Sequence, residues 1–377
     1  MATNGHRVLR IAQVAPLHES VPPRLYGGTE RIVSYLTENL VAHGHEVTLF
    51  ASGDSETSAR LVACSPRALR LADCADALPW HLAMLEEVAR RASGFDLVHF
   101  HVDYLHFPVS QRERYAHVTT MHGRLDIPDL EPIYATYGDA PLVSISDAQR
   151  TPLPRVAWQG TVYHGFPEDL YQLERDPDDY LVFLGRISPE KRPDRAIEIA
   201  RRAGYRLRIA AKVDRADRAY FKSEIEPLMR QPHVEFLGEI EQRDKQALLG
   251  GARALLFPID WPEPFGMVMA EAMACGTPVI AFRCGSVPEV IDDGVTGFIC
   301  DDLDQAVEAV ARLPELSRGR CREVFEQRFT ADRMTADYVS IYRRLLSHRG
   351  QIHEAHDGPH HAEARGLLHP RDQHARG

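Results

Sequence analysis

Short apolar runs alternate with amphipathic helical patterns along almost the entire chain. The run EVTLFAS (46–52) is too short for a buried helix and is rich in residues that favour strands. In the segment 29–44, apolar residues recur at helical spacing until Gly44, a residue type that commonly ends helices. This alternation predicts parallel βαβ units and an α/β fold. The predicted strands lie at 8–16, 46–52, 95–102, 117–123, 141–146, 180–188, 206–213, 234–240, 252–259, 277–282 and 297–301.

The length of 377 residues favours two domains over a single core. The segment 163–179 is rich in Pro, Asp and Glu and lacks periodicity, so we place the join there. We predict two doubly wound, Rossmann-like domains facing across a cleft that binds the ligand, because such sheets bind ligands at the carboxyl ends of their strands. The predicted organisation is an N-terminal domain at 1–165, a second domain at 166–330, a C-terminal helix at 331–348 and a disordered, His-rich tail at 349–377.

The composition excludes several classes of protein. A formal net charge of −10 argues against a nucleic-acid partner. The six cysteines contain no C-x-x-C spacing, which favours reduced thiols over a disulfide framework or a zinc site. No signal peptide and no apolar run of membrane-spanning length is visible, so we expect a cytoplasmic protein; peripheral contact with a membrane surface stays open.

The stretch EPFGMVMAE places one glutamate at each end of an otherwise uncharged segment. Pro264 and Gly266 predict a loop through Glu263 and a helix that begins near Met267. The free N–H groups of that helix suit a phosphate, and Glu271 would reach a vicinal diol. A ligand with hydroxyls at both ends and phosphates between them, such as a nucleotide sugar, explains the spacing. The alternative is that both glutamates are solvated surface residues.

Two further segments favour the nucleotide sugar. Arg186 follows a strand and Lys191 lies in the next turn, and together they can neutralise a diphosphate without a metal ion. Gly27 and Gly28 allow the backbone to approach a ligand closely, and Thr29 is positioned to cap the next helix. Taken singly, each cation is more often an ordinary surface residue, and a bare Gly-Gly turn is weak evidence.

Four segments in this order carry a family resemblance: 27–51, 185–194, 262–281 and 285–299. Together they closely resemble the retaining nucleotide-sugar glycosyltransferases of glycosyltransferase family 4, which have the GT-B fold. The resemblance covers most of residues 7–345. It implies a C-terminal helix that crosses back onto the first domain, and it implies chemistry without a bound metal or other cofactor.

The resemblance also implies roles for individual residues. Glu271 would hold the nucleotide ribose and Glu263 the donor sugar, whereas Arg186 and Lys191 would bind the diphosphate. His122 resembles the family's histidine beside the reacting sugar. The remaining donor-site residues implied by the resemblance are Gly27, Gly28, Phe265, Gly266 and Met267.

This chain departs from the family pattern at three places. His164 replaces the usual asparagine, Arg192 follows Lys191 where glycine is common, and Lys212 stands where many relatives have glycine. Lys212 is either a phosphate contact or a lysine flanking the nucleotide. His101 and Asp103 are candidate acceptor-binding residues at the end of a strand.

The expected reaction is transfer of a sugar, with retention, from a nucleoside-diphosphate sugar to the hydroxyl of a small molecule, glycan or lipid-linked acceptor. A UDP-linked sugar is the favoured donor and a GDP-linked sugar the other possibility. The alternatives are a nucleotide-sugar epimerase or phosphorylase on the same scaffold and a non-catalytic nucleotide-sugar binding protein. A nicotinamide dehydrogenase would need a phosphate fingerprint in the first βαβ unit, which this chain lacks.

Overall fold

Two parallel sheets organise the chain in the computed structural model, which describes residues 7–25, 27–72, 74–113 and 115–356. The first sheet has seven strands and the second has six. The first comprises β1 (Arg10–Val14), β2 (Glu46–Ser52), β3 (Arg60–Ser65), β4 (Leu97–Phe100), β5 (His117–Thr120), β6 (Leu142–Ser144) and β7 (Trp158–Thr161). The second comprises β8 (Tyr180–Arg186), β9 (Arg206–Lys212), β10 (Val234–Gly238), β11 (Ala254–Phe257), β12 (Val279–Phe282) and β13 (Gly297–Cys300).

Both sheets have doubly wound topology. The strand orders are β3-β2-β1-β4-β5-β6-β7 and β10-β9-β8-β11-β12-β13, and the named pairs are parallel. Central strands such as β4 and β11 are buried along their full length, because helices cover both faces of each sheet. The predicted fold class is therefore confirmed. In each sheet the chain reverses its winding direction beside the first strand, which is where such folds bind ligands.

Helices fill the connections between the strands. They are α1 (Gly28–Ala42), α2 (Leu78–Arg91), α3 (Phe107–Glu113), α4 (Glu131–Thr136), α5 (Asp147–Arg150), α6 (Pro193–Ala203), α7 (Arg218–Tyr220), α8 (Gln242–Gly250), α9 (Met267–Ala274), α10 (Val287–Val290), α11 (Leu303–Arg312), α12 (Arg318–Arg328) and α13 (Ala331–His356).

Helix α1 shows how the apolar spacing builds the first domain. Ile32, Leu36 and Leu40 are fully buried and pack in the same core as β1 and β2. The helix begins at Gly28. The N-cap position is Gly27, which has no side chain that could accept a capping hydrogen bond. The prediction that Thr29 caps this helix is therefore wrong, because Thr29 lies inside its first turn.

Helix α13 follows the second domain in sequence but packs against the first. Asn39 Nδ2 of α1 donates to Asp332 Oδ1 at 2.7 Å, and Tyr338 and Tyr342 are fully buried in the core that contains Leu9. The helix extends to His356, eight residues past the predicted end at 348. The rest of the predicted disordered tail, 357–377, lies outside the described residues.

Two sets of polar contacts join the domains. The Glu289 carboxylate of α10 accepts the backbone N–H groups of Asp147 and Ala148 at 2.7 Å each. The Tyr163 hydroxyl of the first domain also donates to Glu289 Oε2 at 3.2 Å. These contacts place the carboxyl ends of the two sheets opposite each other. All six cysteines are free thiols.

Candidate active site

A cavity of about 580 Å³ lies between the carboxyl ends of the two sheets. Its walls contain residues that follow β4 and β5 of the first domain, and residues at or just after the carboxyl ends of β8, β9, β10 and β11 of the second. Every residue that the sequence analysis assigned to the site lines this one cavity: Gly27, Gly28, His101, Asp103, His122, Arg186, Lys191, Lys212, Glu263, Phe265, Gly266, Met267 and Glu271.

The first domain contributes a group of buried imidazoles, which we call the histidine cluster: His99, His101, His122 and His164. His101 Nδ1 lies 2.9 Å from His122 Nε2, and the His122 ring stacks on that of His164 with centroids 5.3 Å apart. Burial lowers the pKa of His122 to about 3 and holds the pKa values of the other three well below the usual range. The histidine cluster is therefore uncharged at neutral pH.

Asp103 lies two residues after His101 in the chain. Its backbone is left-handed, with a φ of 50°, a conformation that costs most residues free energy but that aspartate tolerates better than bulkier side chains. Its carboxylate has no hydrogen bond or ion pair within the described part of the chain, and burial raises its pKa to about 6. The first-domain side of the cavity thus contains a carboxyl group that has no hydrogen-bond or ion-pair partner among the described residues.

The second domain contributes charged side chains in pairs. Arg186 NH2 lies 2.6 Å from Glu190 Oε1, and its NH1 lies 3.7 Å from Asp214. Lys212 forms an ion pair with the same Asp214 at 3.1 Å. The carboxylates of Glu190 and Asp214 are partly exposed, so an incoming diphosphate can replace them as partners of Arg186.

Glu263 forms an ion pair with Lys191, the second of the two cations that the sequence predicts at this site. The Lys191 ammonium donates to Glu263 Oε2, and the indole Nε1 of Trp261 donates to the same oxygen at 3.0 Å. The ammonium also lies 5.0 Å from the centre of the Trp261 ring, a distance typical of cation–π contact. Glu263 is only 9% exposed, and its charge is balanced locally by Lys191.

Glu271 has two partners that the sequence analysis missed. Lys245 Nζ of α8 lies 2.8 Å from Glu271 Oε1, and the Tyr171 hydroxyl donates to that oxygen at 2.9 Å. Glu271 is 2% exposed, and its second oxygen, Oε2, accepts no hydrogen bond from the described residues. Neither Lys245 nor Tyr171 lies in a recognisable motif, so only the packing of α8 and of the segment before β8 against α9 could reveal them. We call Arg186, Lys191, Lys245, Glu263 and Glu271 the charge cluster.

Two helix N-termini open toward the cavity from opposite sides. Helix α1 begins at Gly28, and α9 begins at Met267, where the sequence predicts its start. A Cβ on Gly28 would lie 3.4 Å from Met267 Sδ, which shows how close the two ends are. Gly266 has a φ of 75°, and a Cβ there would lie 2.6 Å from Met269, so only glycine fits. Both ends present unpaired N–H groups suited to an anion.

Two properties of the described residues bear on other kinds of site. They contain no group of three or more His, Cys, Asp or Glu side chains placed to hold a metal ion. They also contain no helix with the length and apolar character required to cross a lipid bilayer.

Comparison with known proteins places this geometry in context. Residues 168–327 match the sequence profile of the family described as Glycosyl transferases group 1, and residues 26–158 match that of Glycosyltransferase Family 4. The N-acetyl-alpha-D-glucosaminyl L-malate synthase of Bacillus anthracis is 35% identical over 132 residues, which cover 32% of this chain and 34% of that protein. The aligned stretch thus spans about a third of that relative.

Solved structures cover nearly the full chain. AviGT4, a glycosyltransferase involved in avilamycin A biosynthesis, is 26% identical, with a TM-score of 0.69 over 90% of this chain and 98% of that one. HepE from Anabaena, crystallised with UDP-glucose, has the same fold at 17% identity, with a TM-score of 0.67 over 91% of this chain and 100% of that one.

Proposed function

The chain belongs to the glycosyltransferases of family 4 and has the GT-B fold, and we propose that it transfers a sugar, with retention, from a nucleoside-diphosphate sugar to an acceptor hydroxyl. One observation carries the proposal: two helix N-termini, two cations and two buried glutamates converge on one interdomain cavity. An extended ligand with a diphosphate at its centre and hydroxyls on both sides matches that arrangement.

Glu271 binds the ribose in this proposal. Its Oε1 atom is already held by Lys245 and Tyr171, so the carboxylate is fixed in orientation before the ligand arrives. Its Oε2 atom stays available as an acceptor for the ribose hydroxyls. A fixed, charged acceptor binds a hydroxyl more strongly than a mobile one, because less conformational entropy is lost.

Arg186 and Lys191 stabilise the departing diphosphate, helped by Lys212 and by the N-termini of α1 and α9. In the free enzyme the first two cations are paired with Glu190 and Glu263. As the bond between the sugar and the phosphate breaks, negative charge grows on the phosphate oxygens, and interactions that strengthen at that moment lower the barrier. These cations can neutralise the leaving group without a bound metal, so we propose that the chemistry needs no metal ion or other cofactor.

Retention follows in this proposal from a reaction on one face of the sugar. The acceptor oxygen forms a bond to the anomeric carbon on the side from which the phosphate departs, and the acceptor proton passes to a phosphate oxygen. Glu263 binds sugar hydroxyls in this scheme. It is a poor nucleophile, because Lys191 and Trp261 both donate to its Oε2 atom.

We propose a UDP-linked sugar as the donor and a GDP-linked sugar as the second choice. A protein of the same fold, HepE, was crystallised with UDP-glucose, which supports this order. We place the enzyme in the cytoplasm, since all six of its cysteines are free. Contact with a membrane surface is compatible with the proposal when the acceptor is lipid-linked.

A screen of UDP-, GDP- and ADP-linked sugars for thermal stabilisation tests the donor assignment. We expect one nucleotide class to raise the melting temperature, because a ligand that binds only the folded state stabilises it by mass action. The Glu271→Gln variant serves as the control and should lose most of that shift. Turnover of the stabilising donor, measured with and without a chelator, then tests metal independence.

Two outcomes would contradict the proposal. If no nucleotide sugar stabilises the protein, the assignment of the cavity is wrong. If the donor is consumed at the same rate with and without acceptor, the protein is an epimerase or a hydrolase.

A further inference from the structure

A continuous line of side-chain hydrogen bonds runs from helix α13 to the His122 imidazole. His99 Nδ1 lies 2.7 Å from the Tyr342 hydroxyl, which lies 3.4 Å from Gln13 Nε2. Gln13 Oε1 lies 2.7 Å from His101 Nε2, and His101 Nδ1 lies 2.9 Å from His122 Nε2. The side chains of Gln13, His99 and Tyr342 are fully buried, so water does not compete for these bonds.

The direction of each bond follows from counting protons. Both imidazoles are uncharged, because burial lowers their pKa values, so each carries one N–H. Gln13 Oε1 can only accept, and therefore His101 Nε2 carries the proton and His101 Nδ1 is an acceptor. His122 Nε2 must then carry its own proton in order to donate to His101 Nδ1. The remaining nitrogen, His122 Nδ1, has a lone pair.

That lone pair has no partner in the part of the chain that the structure describes. His122 Nδ1 is buried and accepts no hydrogen bond from any described residue, although His122 itself lines the cavity. The adjacent His164 ring also has a buried Nδ1 without a partner in the described part of the chain. A buried polar atom left unpaired costs free energy, and such atoms at a cavity wall are commonly satisfied by a ligand.

We propose that Gln13 and His101 are positioning residues that hold His122 in the tautomer with the proton on Nε2, which presents Nδ1 as a hydrogen-bond acceptor to a sugar hydroxyl in the cavity. The proposal rests on the proposed function only for the identity of that hydroxyl; the tautomer is a property of the free enzyme. Gln13 is a neutral amide, so it orients the His101 imidazole without stabilising its charged form. A carboxylate at this position would stabilise the imidazolium.

The tautomer of His122 can be read directly by nitrogen-15 NMR of the full chain labelled at histidine, because protonated and unprotonated ring nitrogens have well-separated shifts. The His122 signals are assigned as those absent from the His122→Gln variant. We expect the wild-type enzyme to show a protonated Nε2 and an unprotonated Nδ1. A protonated Nδ1, or an even mixture of tautomers, would overturn the proposal without any further variant.

Two substitutions then test the positioning residues. Gln13→Met removes the acceptor at similar size, and we expect a mixed tautomer and a turnover lowered about 10- to 100-fold, with a smaller change in the donor KM. Gln13→Glu supplies the acceptor oxygen as a carboxylate, so we expect it to favour an imidazolium at His101 and not to restore the single neutral tautomer. His106→Gln is the matched control, because His106 is buried beside the same sheet but outside the cavity, with Ser110 and Thr119 as its partners.

The results separate this proposal from the proposed function. An unchanged tautomer and unchanged turnover in Gln13→Met would refute the positioning role. If the tautomer behaves as expected while no nucleotide sugar is ever turned over, the positioning role stands and the glycosyl-transfer assignment of the cavity falls.

Discussion

The two walls of the cavity stabilise their buried polar side chains in different ways. The histidine cluster of the first domain consists of uncharged imidazoles joined to neutral partners such as Gln13 and Tyr342. The charge cluster of the second domain consists of ionised side chains that neutralise one another, as Lys191 and Glu263 do. A neutral wall can recognise hydroxyl groups, whereas a wall of exchangeable ion pairs can bind a diphosphate.

The two solutions also differ in what disturbs them. A network of neutral imidazoles is stable only while they stay neutral, so protonation at low pH destabilises it. A buried ion pair is insensitive to moderate acid but is strongly destabilised when one partner is removed, because the other charge is left in a poorly solvated place. The predictions below use this difference.

Removal of a cation from the charge cluster should have the largest effect. For Arg186→Ala and Lys191→Ala we expect turnover to fall roughly 10²- to 10³-fold, because each loses an interaction with the leaving diphosphate. Steady-state kinetics at saturating donor measures this loss. Arg195→Ala is the control, since Arg195 pairs with Asp260 in the same domain but does not line the cavity.

The same variants should differ in stability. The partners of Arg186 are partly exposed, so its loss should barely change thermal unfolding. Lys191→Ala leaves the buried Glu263 carboxylate without its cation and should lower the melting temperature. Unchanged turnover in both variants would refute the leaving-group assignment.

Acid should destabilise the histidine cluster before the charge cluster. A histidine whose folded pKa is lowered contributes stability that is present above its unfolded pKa of about 6.5 and is lost as the pH falls below it. Each such group should cost roughly 1.4 kcal/mol per pH unit below that value. Hydrogen exchange at pH 7.5 and 5.5 measures where protection is lost.

We expect the loss in exchange protection to concentrate in β4 and β5, which carry or precede these histidines. The second sheet is the internal control. Equal loss of protection in both sheets would contradict the contrast between the two walls.

Loss of the Glu271 charge should weaken nucleotide binding. Glu271→Gln replaces a charged acceptor with a neutral one of the same shape, and hydrogen bonds to charged groups contribute roughly 1.5–3 kcal/mol against about 1 kcal/mol for neutral ones, so we expect nucleoside-diphosphate affinity to fall roughly 2- to 30-fold. Titration calorimetry with the free nucleotide tests this. Glu235→Gln, in an exposed pair with Arg208, should leave the affinity unchanged.

Asp103 should give the smallest effect and a different pH dependence. Its pKa of about 6 means that it is ionised at neutral pH and protonated in mild acid. If it accepts a hydrogen bond from the acceptor, the acceptor KM should rise about tenfold or less as the pH falls through 6. Asp103→Asn should abolish that pH dependence, and an identical profile in the variant would remove Asp103 from the acceptor site.

Most of the strands and helices around the cavity could be predicted from the sequence, but two strands could not. The bounds of β2 at 46–52 and the start of α9 at Met267 follow from apolar pattern and from Pro and Gly punctuation. The strands β3 and β7 were missed because they lie at the two edges of the first sheet, where partial exposure weakens the apolar signal.

The site residues were predicted more fully than their partners. Glu263 and Glu271 lie in a distinctive motif, whereas Trp261, Lys245 and Gln13 reach the site only through packing. A sequence reports which groups can ionise, but the neutral state of His122 results from burial, which no local pattern reveals.

Because α13 packs against the first domain, the core of that domain can be completed only after α13 has been synthesised. The core around Leu9 and Ile32 includes Tyr338 and Tyr342, which leave the ribosome more than three hundred residues later. Apolar surface of the first domain therefore stays uncovered until α13 has been synthesised. A chaperone that shields this surface during translation, or a deletion of α13, would act on the first domain although α13 lies about three hundred residues away from Leu9 and Ile32 in the sequence.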